Sequence, residues 1–114
     1  MFYLVKDDFE NERAIKLESH RRRNNLIFYG IPEEANETTA KTESILYSFL
    51  EDNLKLKEDR ISMERAHRLG KRNASGEKPR PIIAKFSFYK NKELALSNAR
   101  TLAGTVFGIS QDFP

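Results

Sequence analysis

The chain has 114 residues, which is enough for one domain with a single hydrophobic core and too few for two domains and a linker. It contains no cysteine, and this excludes a disulfide framework, a thiolate metal site and a cysteine nucleophile. Its 20 basic and 17 acidic residues give a net charge of +3, so the distribution of charge says more about partners than the sum does. The apolar runs are too short to span a bilayer and no signal region opens the chain, which predicts a soluble, intracellular protein.

Residues 1–23 contain no glycine or proline and are rich in charged side chains. Their apolar residues are spaced as on one face of a helix, so we predict an N-terminal helix here. Because the apolar stripe is narrow, this helix should pack against partner helices or against the following domain. The hexad RAIKLE at residues 13–18 is similar to a short trimeric coiled-coil pattern, in which Arg and Glu of neighbouring helices pair across an apolar seam. A solvated helical tail is the alternative interpretation of such a short match.

Residues 25–31, NLIFYGI, begin a second region with strand character. They are rich in aromatic and β-branched residues, and Pro32 ends the strand because proline has no N–H to donate. Further along, apolar residues at helical spacing predict a first core helix around residues 45–54. The apolar residues in question are Ile45, Leu46, Phe49, Leu50 and Leu54.

The remaining patterns complete one domain over residues 24–114. Strands are predicted at residues 61–67, 81–88 and 105–110, a loop at 70–81, and a helix at 91–102 with Leu94, Ala95, Ala99 and Leu102 on its inner face. The order strand, helix, strand, strand, helix, strand is that of the split βαβ arrangement. We therefore predict an α+β, ferredoxin-like sandwich: a four-stranded antiparallel sheet with two helices on one face, which leaves the other face available for binding.

Charge is distributed unevenly along this domain. Residues 33–59 contain eight acidic and three basic residues, whereas residues 65–92 contain nine basic residues and one acidic residue. The first and third strands should be central neighbours, so the basic run at 21–23 and the basic loop at 70–81 can flank the same open sheet. A positive rim of this kind attracts a phosphodiester backbone and makes affinity salt-dependent. A solvated basic surface remains the alternative for either run alone.

The composition of the open sheet face limits how it could read nucleic acid. Strict alternation directs Ile27, Tyr29 and Ile31 of the first strand, and Pro81, Ile83 and Lys85 of the third, away from the helices. RNA recognition motifs (RRMs) have a sheet of this order and stack bases on aromatic residues of the middle strands. Tyr29 is the only aromatic residue predicted for this face, so we expect mainly electrostatic affinity and weak sequence preference.

Little in the sequence indicates an enzyme. The only histidines are His20 and His67, and no glycine-rich phosphate loop, metal-ligand cluster or nucleophile motif is present. Glu64 and His67 stand three apart on a predicted strand and should point to opposite faces. We therefore predict a protein without catalytic activity or cofactor, in which His67 either donates to phosphate or is an ordinary edge-strand histidine.

Five linked motifs also resemble a known family. They are RRRNNLIFYGIPE at residues 21–33, ERAHRLG at 64–70, KPRPIIAKF at 78–86, YKNKE at 89–93 and ISQDFP at 109–114. In this order and spacing, over about residues 18–114, they resemble the RRM domain of the first open-reading-frame protein of LINE-type retrotransposons. The resemblance implies an RNA-binding nucleic-acid chaperone that coats its element's transcript in a cytoplasmic ribonucleoprotein, which also reaches the nucleus. It further implies a homotrimer formed through an upstream coiled coil, of which residues 1–23 would be the end, and a further domain beyond Pro114.

The family's binding positions transfer where the motifs match, at Arg23, Asn25, Arg65, Arg68, Lys78, Arg80 and Lys85. Ile27 stands where some members carry arginine, so either binding there is weaker or other residues compensate. With the charge pattern added, the predicted nucleic-acid-binding residues are Arg21, Arg22, Arg23, Asn25, Tyr29, Arg65, His67, Arg68, Lys71, Arg72, Lys78, Arg80 and Lys85. The expected ligand is single-stranded RNA, with single-stranded DNA not distinguished from it. The alternative is an assembly module of the same fold whose basic loop binds an acidic protein.

Overall fold

The computed structural model describes residues 22–71 and 78–112, and within these ranges the strands and helices follow the predicted order. The strands are β1 (Asn25–Tyr29), β2 (Met63–Arg68), β3 (Ile82–Phe86) and β4 (Gly108–Gln111). The α-helices are α1 (Thr39–Leu54) and α2 (Tyr89–Ser97), and short 3-10 helices cover Glu58–Arg60 and Ala99–Leu102. The N-terminal helix predicted over residues 1–23 lies outside the described residues except for its last two positions.

The four strands pair antiparallel in the order β2-β3-β1-β4. β1 and β3 are therefore the central strands, as predicted. Leu26 of β1 lies opposite Ala84 of β3, which in turn lies opposite Ala66 of β2, and all three side chains are buried. Together with the two helices this gives an α+β architecture with an open four-stranded sheet, compatible with a ferredoxin-like fold.

One hydrophobic core joins the buried face of the sheet to both helices. α1 begins at a well-formed cap, since the Thr38 hydroxyl accepts a hydrogen bond from the backbone N–H of Lys41 at 3.1 Å. It ends where Lys55 adopts a left-handed conformation with φ of 60°. Between these ends the helix buries the apolar residues Leu46, Phe49, Leu50 and Leu54, whose spacing follows the helical period. The prediction of this inner face is confirmed for these four residues.

The second predicted helix is divided into two pieces. α2 ends at Ser97, and the Asn98 side chain donates a hydrogen bond to the backbone oxygen of Leu54 at 3.1 Å before the 3-10 helix begins. Ala95 and Leu102 are buried as predicted. Leu94 is 41% exposed, so its assignment to the inner face is wrong. The buried residues of α2 are Lys92 and Ala95, which are three positions apart and lie on one face of the helix.

The first strand ends two residues earlier than predicted. Gly30 has a φ of +88°, and a Cβ atom there would lie 2.3 Å from the backbone oxygen of Val106. Only glycine accommodates both conditions without strain. The turn at Gly30 interrupts the alternation, so Ile31 is buried at 4% exposure and does not belong to the open face as predicted.

Candidate nucleic-acid interface

The sheet face opposite the core, called the open face below, is defined by cross-strand partners. Residues directly opposite each other on antiparallel strands share a face. Arg65, Lys85 and Asn25 form one row, and His67, Ile83, Ile27 and Ser110 form the next. Tyr29 lies opposite Gly108 in the row beyond. Arg65, His67 and Tyr29 are exposed on this face, whereas the other residues of these rows are half-buried.

Tyr29 is the aromatic residue on the open face, as predicted, and it is 41% exposed. Its hydroxyl shares a hydrogen bond of 3.1 Å with the Ser110 hydroxyl on β4. Its ring lies beside Gly108, since a Cβ atom built on that glycine would be 4.0 Å from the ring carbon Cδ2. One side of the ring is therefore supported by the neighbouring strand, and the exposed side can stack on a nucleic-acid base.

Arg65 and His67 project from β2 onto the same face, and both are exposed. Lys85 lies opposite Arg65, with its ammonium 3.9 Å from the Glu64 carboxylate. This ion pair is partly exposed and contributes little, so Lys85 can exchange it for a phosphate group. A β-bulge between Met63 and Arg65 interrupts the alternation of β2, so the expectation that Glu64 and His67 point to opposite faces no longer follows.

Arg68, which the resemblance makes a binding residue, does not lie on the open face. Its side chain is 3% exposed and lies on the core side of β2. Its Nε and Nη2 atoms donate to the Glu37 carboxylate at 2.8 and 3.2 Å, and its Nη atoms donate to three backbone oxygens. Those oxygens belong to Ile31, Pro32 and Arg80, at 2.9, 2.8 and 2.7 Å. The guanidinium is occupied in holding three chain segments together, so it has no donor to offer a phosphate.

Glu37 is the acidic partner of this buried arginine, with a side chain 1% exposed. Besides Arg68, it accepts hydrogen bonds from the Thr42 hydroxyl at 2.6 Å and from the backbone N–H of Glu34 at 3.0 Å. Burial acts to raise the pKa of Glu37, but these hydrogen bonds outweigh it and lower the pKa to about 2. Glu37 is therefore ionised at neutral pH and balances the buried charge of Arg68.

Arg80 is also paired within the protein. Its Nε donates to the Glu33 carboxylate at 3.1 Å, and its Nη1 donates to the backbone oxygen of Gly70 at 2.7 Å. The hydrogen bond from Arg80 lowers the pKa of Glu33, and the same pairing raises the pKa of Arg80. Its charge is therefore largely compensated. Arg80 is predicted to contact phosphate, but in the folded domain its guanidinium binds Glu33 and Gly70.

Among the described residues, the end of the basic run at residues 21–23 and the two ends of the loop at 70–81 lie at opposite ends of the central strands. The run precedes Asn25, which lies opposite Lys85 at one end of the central strands, whereas the loop leads into Ile82 at the other end, opposite Phe28. Five strand residues span about 16 Å, so the two basic segments flank opposite ends of the open face.

The described residues of the basic run contact the domain itself. The guanidinium of Arg23 lies 4.3 Å from the centre of the Tyr89 ring at the start of α2. Arg22 approaches Asp112 at 4.0 Å, and the Asn25 amide donates to the same carboxylate at 3.0 Å. Arg22, Arg23 and Asn25 are thus placed at the end of the open face and not across it.

Lys71 and Lys78 are exposed where the chain leaves β2 and approaches β3. The predicted site residues Arg21 and Arg72 lie outside the described residues. Arg65 and His67 are exposed on the open face and Lys85 is half-buried there, while Lys71 and Lys78 are exposed in the adjoining loop.

The motif YKNKE at residues 89–93 links α2 to neighbouring parts of the domain. Lys92 is 3% exposed, and its ammonium donates to Gln111 of β4 at 2.9 Å and to Glu93 at 3.1 Å. The hydrogen bond from Lys92 lowers the pKa of Glu93. Asn91 accepts from the backbone N–H of Ser62 at 3.0 Å, which ties α2 to the chain before β2. Helical spacing three residues before Ala95 was the available signal for the burial of Lys92.

Ser110 is not among the predicted interface residues, although alternation from the neighbouring Ile109 would place it on the face away from the core.

Comparison of the sequence with models of protein families finds no match. No helix within residues 22–71 and 78–112 is long and apolar enough to cross a membrane. The same residues contain no group of three or more His, Asp or Glu side chains arranged to hold a metal ion.

Proposed function

We propose that this domain binds single-stranded RNA without sequence specificity, through the open face. The single observation that carries the proposal is Tyr29, an aromatic residue that is 41% exposed and hydrogen-bonded to Ser110 of β4, on a sheet face that also presents Arg65 and Lys85. A base can stack on an exposed ring, and cations elsewhere on the same face can bind phosphates further along the strand.

The chemistry of the face favours contact with the backbone over reading of bases. Ile27 and Ile83 occupy the middle of the open face, where they offer apolar surface and no hydrogen bonds. The cations nearby, Arg65 and Lys85 with Lys71 and Lys78 at the Tyr29 end, suit phosphate groups. Binding should therefore depend on salt much more than on base sequence.

The wider context is proposed on the five motifs described above. We propose an RRM-like, non-catalytic domain of a LINE-type first open-reading-frame protein, which acts as a nucleic-acid chaperone in a cytoplasmic ribonucleoprotein that also reaches the nucleus. In that context residues 1–23 would complete a trimeric coiled coil. Light scattering tests the assembly, because a trimer of the 13.3 kDa chain would have three times the mass of the monomer.

The binding proposal is tested by fluorescence anisotropy with a labelled 20-nucleotide oligouridylate between 50 and 200 mM salt. If Arg65, Lys71, Lys78 and Lys85 each neutralise one phosphate, the affinity should fall roughly 50-fold over this range. Replacing Arg65 and Lys85 by Gln should weaken binding. It should also make the slope of log affinity against log salt concentration shallower by about 1.4.

Arg100→Gln is the matched control, because Arg100 is exposed on the 3-10 helix Ala99–Leu102, which follows α2 in the helical layer. It removes one positive charge away from the open face, against two in the double variant, and should leave affinity within twofold of the parent. An unchanged affinity in the Arg65 and Lys85 double variant would contradict the proposal and favour the assembly module with an acidic protein partner.

A further inference from the structure

The two ends of the loop between β2 and β3, residues 69–70 and 80–81, are joined by hydrogen bonds and are called the base of the loop below. The backbone N–H of Leu69 donates to the oxygen of Pro81 at 2.8 Å, one step beyond the last paired residues of the two strands. The Arg80 guanidinium closes the same base from the side, because its Nη1 donates to the backbone oxygen of Gly70 at 2.7 Å. The two ends of the loop are therefore held together by backbone and side-chain hydrogen bonds.

The same guanidinium ties the base of the loop to the segment that follows β1. Nε of Arg80 donates to Glu33 at 3.1 Å, and the paired side chains are 22% and 11% exposed. Arg68 reinforces the arrangement from inside the domain by donating to the backbone oxygen of Arg80 at 2.7 Å. Arg80 thus connects three segments that are distant in sequence.

Lys71 and Lys78 are placed by this base. Lys71 directly follows Gly70, and Lys78 stands two residues before Arg80. Ile82 lies opposite Phe28, so the base of the loop lies at the Tyr29 end of the central strands. The hydrogen bonds of Arg80 therefore hold the backbone next to both lysines.

We propose that Arg80 and Glu33 form a positioning pair that holds Lys71 and Lys78 beside Tyr29, and that Arg80 itself makes no phosphate contact. This inference rests on the proposed function and assigns roles within that site. Contact of Arg80 with a phosphate would leave the Glu33 carboxylate, whose side chain is 11% exposed, without its donor, and an unpaired polar group that is partly buried is costly. As a pair, Arg80 and Glu33 add almost no net charge.

The two possible roles of Arg80 predict opposite results when Glu33 is replaced by Ala. If Arg80 were a phosphate contact, the loss of Glu33 would release it and remove a nearby negative charge. Affinity for RNA would then rise, and the slope of log affinity against log salt concentration would steepen by about 0.7. If Arg80 positions the lysines, the loss of Glu33 loosens the base of the loop and affinity falls. The sign of the change therefore distinguishes the roles.

The experiment measures binding of the labelled 20-nucleotide oligouridylate at several salt concentrations for the parent chain and for Glu33→Ala, with circular dichroism to show that each protein is folded. We expect Glu33→Ala to bind about fivefold more weakly, without a steeper salt dependence. Arg80→Lys keeps the charge but replaces the planar fork by a compact ammonium, so it should also weaken binding. This second variant tests the inference if Glu33→Ala does not fold.

A double-mutant cycle gives a readout that a purely structural role would not move. In a chain that already carries Lys71→Gln and Lys78→Gln, replacing Glu33 by Ala should cost less than twofold, because the lysines that it positions are gone. The inference would be overturned by any of three results: higher affinity for Glu33→Ala, parental affinity for Arg80→Lys, or simple additivity in the cycle. None of these results would affect the proposal of salt-dependent RNA binding. A parent chain that binds no oligouridylate at 50 mM salt would overturn the proposed function, and this inference with it.

Discussion

Arg65 and Arg68 lie three residues apart on β2, and their side chains point to opposite sides of the sheet. Arg65 is exposed opposite Lys85, whereas Arg68 is buried opposite Ile82, with five hydrogen bonds to other parts of the chain. The motif ERAHRLG thus contains a candidate RNA contact, Arg65, and a residue that stabilises the fold, Arg68. Substitution of each arginine should separate the two roles.

Arg68→Met should destabilise the domain by about 3–5 kcal/mol, because it leaves the buried Glu37 carboxylate without its partner. Arg65→Met should change the free energy of unfolding by less than about 0.5 kcal/mol while it weakens RNA binding. Urea unfolding measures the first effect and anisotropy the second. The double variant Glu37→Met and Arg68→Met should be more stable than Arg68→Met alone. Equal stability of the two single arginine variants would show that the buried network contributes little.

Stability should fall at acidic pH because of Glu37. Its pKa is about 2 in the folded protein against an ordinary value of 4.5, so its contribution is complete above about pH 5 and is lost as the pH falls towards 2. We expect a loss of about 2 kcal/mol between pH 7 and pH 3 from this group. Urea unfolding at both pH values should show a smaller difference for Glu37→Gln than for the parent chain.

Glu51→Gln is the control for the pH experiment, because Glu51 is exposed on α1. It should retain the full pH dependence of the parent chain. If Glu37→Gln retained it as well, the acid sensitivity would have to arise from other carboxyl groups, and Glu33, whose pKa is also lowered, would be the next to test.

Gly30→Ala should be far more destabilising than Gly70→Ala, although both glycines have positive φ angles, of +88° and +78°. The added methyl group at Gly30 would meet the Val106 backbone oxygen at 2.3 Å, whereas nothing lies within 4 Å at Gly70. We expect a cost of about 3 kcal/mol or more at Gly30 and about 1 kcal/mol at Gly70, measured by urea unfolding. Similar costs at both positions would mean that the loop around Val106 yields easily.

Tyr29→Ala should weaken RNA binding about tenfold at every salt concentration, because it removes a stacking surface and no phosphate contact. The slope of affinity against salt should therefore stay that of the parent chain. Tyr29→Phe loses only the hydrogen bond to Ser110 and should bind within twofold of the parent chain. Anisotropy with the same oligonucleotide checks all three proteins, and parental affinity in Tyr29→Ala would remove the ring from the interface.

Local patterns were sufficient to predict the order of strands and helices, the central positions of β1 and β3, and the outward direction of Ile27, Tyr29, Ile83 and Lys85. Alternation in strands and the helical period are properties of neighbouring residues, so they can be read without knowing the fold. The same reasoning failed at Ile31, because the turn at Gly30 is imposed by the backbone of Val106, which is 76 residues away in the chain.

Placement of the charged residues could be predicted much less well. Alternation from Ala66 places Arg68 on the core side, so its burial had a signal, but its five acceptors come from segments joined only by the fold. The pairing of Arg80 with Glu33 likewise joins residues 47 positions apart. A count of basic residues treats all of them as available for a ligand.

The sequence by itself therefore determined the architecture of this protein and the exposed position of Tyr29, because periodic burial is encoded locally. The tertiary structure alone decided which cations are available to a polyanion. Arg65 and Lys85 lie on the open face and Lys71 and Lys78 are exposed in the adjoining loop, whereas Arg68, Arg80 and Lys92 are held by partners within the domain. The physical reason is that a long charged side chain takes its partner from whatever the fold brings within hydrogen-bonding distance, and such partners are remote in sequence.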